Sequence, residues 1–180
     1  MKYHYTNSEL KSLLQSMVIL IDTREQENGH IITYFDKKKI RYLSRKLEYG
    51  DYSCLLPASP QIGIQRDIYF TDSIVIERKA SIEELSGNLT KDRTRFESEL
   101  LRAGKTKLYL MIENENGYSD IVGHRYRTQY EPKSFIATLK TYEARYGLDM
   151  NFIPAACAGN FIYYTLFYHC REFLKGEIAV

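Results

Sequence analysis

Apolar residues along this chain repeat with two periods. Runs and alternations predict strands, and returns every three to four positions predict helices. The run "MVILID", 17–22, reads as a buried strand that ends on Asp22. A short helix is expected before it over 8–16, capped by Asn7 or Ser8. "HIITYFDKKK", 30–39, is helical, with Ile31, Tyr34 and Phe35 on one face. Residues 41–47 alternate in part, with Leu43, Arg45 and Leu47 on one side of a strand. "EYGDYSCLL", "QIGIQRDIYF" and "SIVIER" follow as further strands, separated by the Pro57–Pro60 loop. Four strands so close in sequence predict an antiparallel meander.

The second half changes rhythm. Helices are expected over 81–89 and 92–103, then a strand at 107–113. Residues 132–147 carry Phe135, Leu139, Tyr142 and Tyr146 at helical spacing, with Pro132 in the first turn and Gly147 at the close. "MNFIP" is a last strand and 159–175 a last helix. The whole predicts one mixed α/β domain over 1–180, a central sheet with helices around it.

Composition narrows the class without naming a function. Hydrophobic residues make up 44% and charged residues 27% of 180, as in a globular chain. A net charge of +2 does not announce a nucleic-acid binder, so any basic surface must come from local clustering. The three cysteines are widely separated, with no metal-type spacing and no disulfide framework, which suits a reducing cytoplasm. Lys11 interrupts the first apolar stretch, so no secretory signal is expected. Residues 150–170 lack Asp, Glu, Lys and Arg, but Pro154, Gly159 and Asn160 break the run. A strand, a turn and a buried helix are expected there, not a membrane span.

Candidate chemistry gathers in "SIVIERKASIEEL", 73–85. A strand that reads as buried ends in Glu77-Arg78-Lys79. Period-two alternation puts Glu77 and Lys79 on one face and Arg78 on the other. Asp51 begins an earlier strand and Asp22 ends a third. Three carboxylates and a lysine at strand ends fit a metal-dependent hydrolytic site. Mg²⁺ and Mn²⁺ prefer carboxylate oxygens. Lysine can orient an attacking water or stabilise charge on a phosphate. Taken alone, the triplet also fits a solvated strand end with surface ion pairs.

"IDTRE" at 21–25, "GDYS" at 50–53 and "IERKASIEEL" at 76–85, in this order, resemble the nuclease domain of the XPF family of structure-specific endonucleases. "LSGNLTKDRTRFESELLRA", "LYLMIE" and "AGNFIYYTLFYHCREFL" resemble its bacterial and phage branch, and the likeness runs from about 17 to 175. The resemblance implies a restriction-endonuclease-like fold and a Mg²⁺- or Mn²⁺-dependent DNA endonuclease acting on branches, flaps or junctions. It implies Asp51 and Glu77 as metal ligands with Asp22 assisting, Lys79 as the catalytic lysine, and Arg24, Glu25 and Arg78 as organisers. The family places an Asp four residues after the lysine. Here Glu83 is at four and Glu84, directly before Leu85, is at five.

Arg93, Arg95 and Arg102 lie along one helix and suit either phosphate contact, as the resemblance implies for Arg93, Arg95 and Lys79, or ion pairing such as Arg95–Glu99. Glu113 can add a carboxylate to the site or simply end a strand. "KKKIRYLSRK", 37–46, holds six cations in ten residues, a DNA-backbone patch or a solvated helix end. The apolar helix 159–175 suits core burial or a homodimer face. The resemblance further implies a bacterial or phage-encoded cytoplasmic protein with a DNA-targeting partner. The alternative reading is a non-catalytic DNA-binding or scaffolding module with the same fold.

Overall fold

The computed structural model describes residues 4–179. Helix α1, Asn7–Ser16, starts from Thr6, whose hydroxyl accepts the Glu9 N–H while the Glu9 carboxylate accepts the Thr6 N–H. This reciprocal box, not Asn7 or Ser8, caps the helix. Strand β1, Val18–Ile21, is buried throughout. Helix α2, Gly29–Lys38, then carries the chain back to β2, Arg41–Ser44. Next come β3, Tyr52–Leu56, a two-residue β4, Ile68–Tyr69, and β5, Ile74–Lys79. Helices α3, Ile82–Leu89, and α4, Arg93–Ala103, lead to β6, Lys107–Glu113. Helices α5, Tyr118–Val122, and α6, Pro132–Tyr146, lead to β7, Asp149–Ile153, and α7, Ala158–Leu174, is last.

The strands form one mixed sheet in the order β2-β1-β3-β5-β6-β7, with β4 attached to β3. β3 is antiparallel to β1, β4 and β5, while β1–β2, β5–β6 and β6–β7 are parallel. The expected four-strand meander is therefore corrected. Helix α2 acts as a crossover, and a crossover brings the next strand in parallel. So β2 pairs with β1 on the outer edge and never meets β3. Its four residues are exposed, and it ends at Ser44 rather than 47. Pro60–Ile62 forms a tight turn, which leaves only two residues of the 61–70 stretch in a strand.

Alternation along the strands separates two main cores and a smaller cluster of Val18, Leu20, Leu47 and Leu55. Ile19, Ile21, Tyr52, Cys54, Ile74, Ile76 and Met111 face α1, α2 and α7. Val75, Leu108, Leu110 and Ile112 face α3, α4 and α6. Helix α7 buries Ala158, Ile162, Leu166, Cys170 and Leu174 at four-residue intervals but exposes Tyr164 and Tyr168. It is thus one-sided, not apolar all round. Cys54 and Cys170, remote in sequence, meet in the first core as free thiols with sulfurs 3.4 Å apart. Among the described residues no helix is long and apolar enough to cross a membrane.

Gly159 sets how closely α7 approaches α2. A methyl group there would lie 2.7–2.9 Å from the Tyr34 Cβ and ring carbons. Gly159→Ala should lower stability by about 1–3 kcal/mol, the usual cost of overpacking. Urea unfolding checks this, and an unchanged midpoint would mean that Tyr34 yields freely.

Candidate active site

The site begins with a glycine. Gly50 has φ +72°, and a Cβ there would sit 2.8 Å from the Val75 Cβ. Only a residue without a side chain takes this conformation so close to β5. The next residue, Asp51, donates its N–H to the Ile76 carbonyl and accepts the Asp22 N–H on its own carbonyl. The antiparallel register pairs Tyr52 with Ile76, so one step back Asp51 stands opposite Glu77. One Asp51 carboxylate oxygen, Oδ2, accepts the Arg78 backbone N–H at 2.8 Å.

Asp51, Glu77 and Lys79 line one open cavity of about 320 Å³. Arg24 and Arg95 complete its basic rim, and Glu48, Tyr49 and Glu99 its remaining wall. Burial and the Glu77 charge together push the Asp51 carboxyl well above the ordinary aspartate range. Lys79 is buried, which works against its charge, but Glu77 outweighs this and raises the ammonium above its usual value. Lys79 Nζ donates to Glu77 Oε1 at 2.7 Å and lies 5.2 Å from the centre of the Phe96 ring. It is therefore a fixed cation at neutral pH, a donor and not a base.

Arg78 points through the sheet to the other side. Its guanidinium donates to Glu113 at 2.7 and 3.2 Å and to Glu25 at 2.9 Å. His30 Nε2 is 2.7 Å from the same Glu113. Burial opposes the Arg78 charge, but Glu113 and then Glu25 raise its pKa. Glu113 is held below the carboxylate range by its bonds to Arg78 and His30, against the effect of burial. Glu25 goes the other way: burial outweighs Arg78 and raises it.

The structure places two of the expected acids away from the cavity lining. Asp22 is turned into the protein and held by neighbouring donors. Its Oδ1 accepts the Arg24 N–H at 2.8 Å and Arg24 Nε at 2.7 Å. Its Oδ2 accepts the Leu47 N–H at 2.6 Å and Arg24 Nη2 at 3.2 Å. All its lone pairs are engaged in closing the β1 end against the 45–49 loop. Glu113 lies on the Arg78 side and adds no carboxylate to the cavity, because it shares the strand face of Met111.

The remaining candidates divide. Glu84 Oε1 is 3.8 Å from Lys79 Nζ, and Oε2 accepts the Ala80 N–H. Glu83 turns away to accept the Arg127 N–H. Arg95 lines the cavity, whereas Arg93 lies outside it and pairs with Glu97 at 3.1 Å. Glu48, Tyr49 and Glu99 were not foreseen at the cavity, nor His30 behind it. The first two directly precede Gly50, which was the available signal. Glu99 stands four residues after Arg95 on the same helix face, and His30 carries no signal.

Among the described residues no three His, Cys, Asp or Glu side chains converge as a ready-made metal cage. The Asp51–Glu77 pair nonetheless suits Mg²⁺ or Mn²⁺. Such ions are commonly held by one or two carboxylates, with water and substrate phosphate completing the shell. A carboxyl raised by its acidic neighbour is also the group that a cation would relieve.

The ERCC4 domain family matches residues 21–164, most of the chain and all three acidic motifs. The chain belongs to that family. XPF from Aeropyrum pernix has a similar structure, with a TM-score of 0.61 at 17% identity over 87% of this chain and 66% of that one. XPF from the same organism in a complex with DNA matches at 0.59 and 18%, over 86% and 65%. The chain thus spans just under two thirds of the XPF chains it matches. The fold is the restriction-endonuclease-like fold of the XPF nuclease domain. No curated protein matches the sequence at a significant level.

Removing Asp22's charge should test its structural role. Asp22→Asn should cost about 1–3 kcal/mol at pH 7, since it weakens bonds to a buried N–H and to Arg24. The folded pKa is depressed by those bonds, although burial opposes them. The contribution is therefore complete above the unfolded value of about 3.9 and is lost as pH falls through the folded one. The gap between wild type and variant, read by thermal unfolding, should narrow below about pH 4. On the opposite face, Glu113→Ala should cost about 3–5 kcal/mol by stranding a buried guanidinium. A loss below about 1 kcal/mol in urea would mean that Glu25 alone satisfies Arg78.

Proposed function

We propose that this ERCC4-family chain is a Mg²⁺- or Mn²⁺-dependent endonuclease that hydrolyses phosphodiester bonds in DNA at branches, flaps or junctions. The observation that carries the reading is the meeting of Asp51, Glu77 and Lys79 in one open cavity. A relative of the same fold has been captured with DNA. A metal-free binding module has no use for two facing carboxylates beside a negatively charged backbone, because they would repel it.

Asp51 and Glu77 would hold the ion, which when bound would lower the pKa of its water and neutralise charge on the phosphate. The protein's own groups do the rest. Arg78 N–H fixes one oxygen of Asp51 and leaves the other to face the cavity. Lys79, held by Glu77, carries its proton and presents it to a phosphate oxygen that gains charge in the transition state. Glu84 keeps Lys79 from swinging out, while Arg95 and Arg24 on the rim offer cations to flanking phosphates.

Asp51→Asn and Glu77→Gln should each abolish cutting of flap DNA in Mg²⁺ while leaving DNA binding in EDTA intact. Lys79→Met should lower the rate by about 10²–10³, the usual loss of one transition-state donor. A gel assay with forked and linear DNA checks all three. Undiminished cutting by the two acid variants would refute the assignment, and binding without cutting by the wild type in any divalent metal would favour the scaffolding role.

A further inference from the structure

A second groove opens beside the catalytic cavity. It has a volume of about 300 Å³ and is lined by Arg45, Lys46, Tyr69 and Thr71. Glu48 and Tyr49 line both cavities, so the two adjoin. We propose that this groove is a subsite for an unpaired nucleotide next to the cleaved bond, its base stacked on the Arg45 guanidinium and its phosphate met by Lys46. The proposal rests on the nuclease reading and specifies its substrate.

The stacking platform is already built. The Arg45 guanidinium lies over the Tyr69 ring, 4.3 Å from its centre. Its backbone is fixed by an N–H bond to the Ile21 carbonyl at 2.8 Å, and Tyr69 is fixed by pairing with Leu55. A guanidinium is planar, and nucleobases stack readily on such a plane. Arg45 is exposed.

The charge in the groove is also unspent. Among the described residues, neither Arg45 nor Lys46 has a carboxylate within ion-pair distance, whereas Lys107, Lys140 and Arg171 do. Asp72, also in this wall, is 3.4 Å from the Tyr49 hydroxyl that donates to it. One guanidinium plane with a free ammonium next to it in sequence matches one nucleotide, a base with its phosphate. A duplex cannot use the plane, because its bases are already stacked and paired. The groove therefore selects DNA whose strand is unpaired beside the scissile phosphate.

Fluorescence anisotropy in EDTA, with a labelled oligo-dT and with a hairpin duplex, separates stacking from charge. Arg45→Ala should weaken the single strand about tenfold, within the usual share of one stacked base, and the duplex far less. Arg45→Lys, which keeps the charge but not the plane, should show the same selective loss. A 2-aminopurine beside the cleaved bond should be quenched by wild type and not by Arg45→Ala. Full affinity in Arg45→Lys, equal losses on both DNAs, or no loss in Arg45→Ala would each overturn the subsite, even with flap cutting intact. A wild type that neither binds nor cuts DNA would bring down the nuclease reading as well. Arg45 is exposed, so an unchanged unfolding midpoint should confirm that these variants are folded.

Discussion

A guanidinium taken out of water must be surrounded by partners, and the Arg78 ion pairs meet that demand on the far face of the sheet. Glu25 reaches it from the loop after β1 and Glu113 from the end of β6. Three separate chain segments are thereby tied at one point. The backbone N–H of the same residue points along the sheet toward β3 and binds the Asp51 carboxylate. A side-chain requirement on one face thus fixes a carboxylate on the other, and the candidate site inherits the rigidity of the buried pair.

The two faces are balanced very differently. Behind the sheet, Arg78 has two carboxylates. In front, Asp51 has one protein donor and an acidic neighbour, and its carboxyl is raised by both burial and Glu77. The chain satisfies its charges wherever they serve the fold and leaves Asp51 short of partners at the cavity. Local imbalance in an otherwise satisfied structure is where ligand chemistry is expected.

Much of this was legible before any coordinates. Alternation alone put Glu77 and Lys79 together and Arg78 behind them. The long helix over 132–147 was readable from its apolar spacing and terminal glycine, and the structure ends it at Tyr146 with Gly147 left-handed. What failed did so for lack of topology. Asp22 ends a strand, as the alternation indicates, but nothing in the sequence shows that the Leu47 N–H lies within 2.6 Å of it. Glu113 looked like a site acid until the parallel β5–β6 register placed it on the Arg78 face. The meander failed because α2 turned β2 into a parallel edge strand. Glu83 and Glu84 were separated only by the rotation of α3, which aims one at Lys79 and the other at the Arg127 loop.

The direction of β3 decides why a site can form here at all. It runs antiparallel to both β1 and β5, so its first residue lies beside their last ones. Asp51, at the start of β3, therefore reaches the same sheet edge as Asp22, Glu77 and Lys79. β6 runs parallel to β5 and delivers Glu113 to that edge too. Had β3 been parallel, Asp51 would stand at the opposite edge from Glu77, a full strand length away. The sheet topology selects which charged residues share an edge, and period-two alternation then divides them between a structural face and a chemical one. The adjoining groove at Arg45 follows from the same arrangement, because the loop leading into β3 carries Arg45 and Lys46 before Gly50 and Asp51 after it.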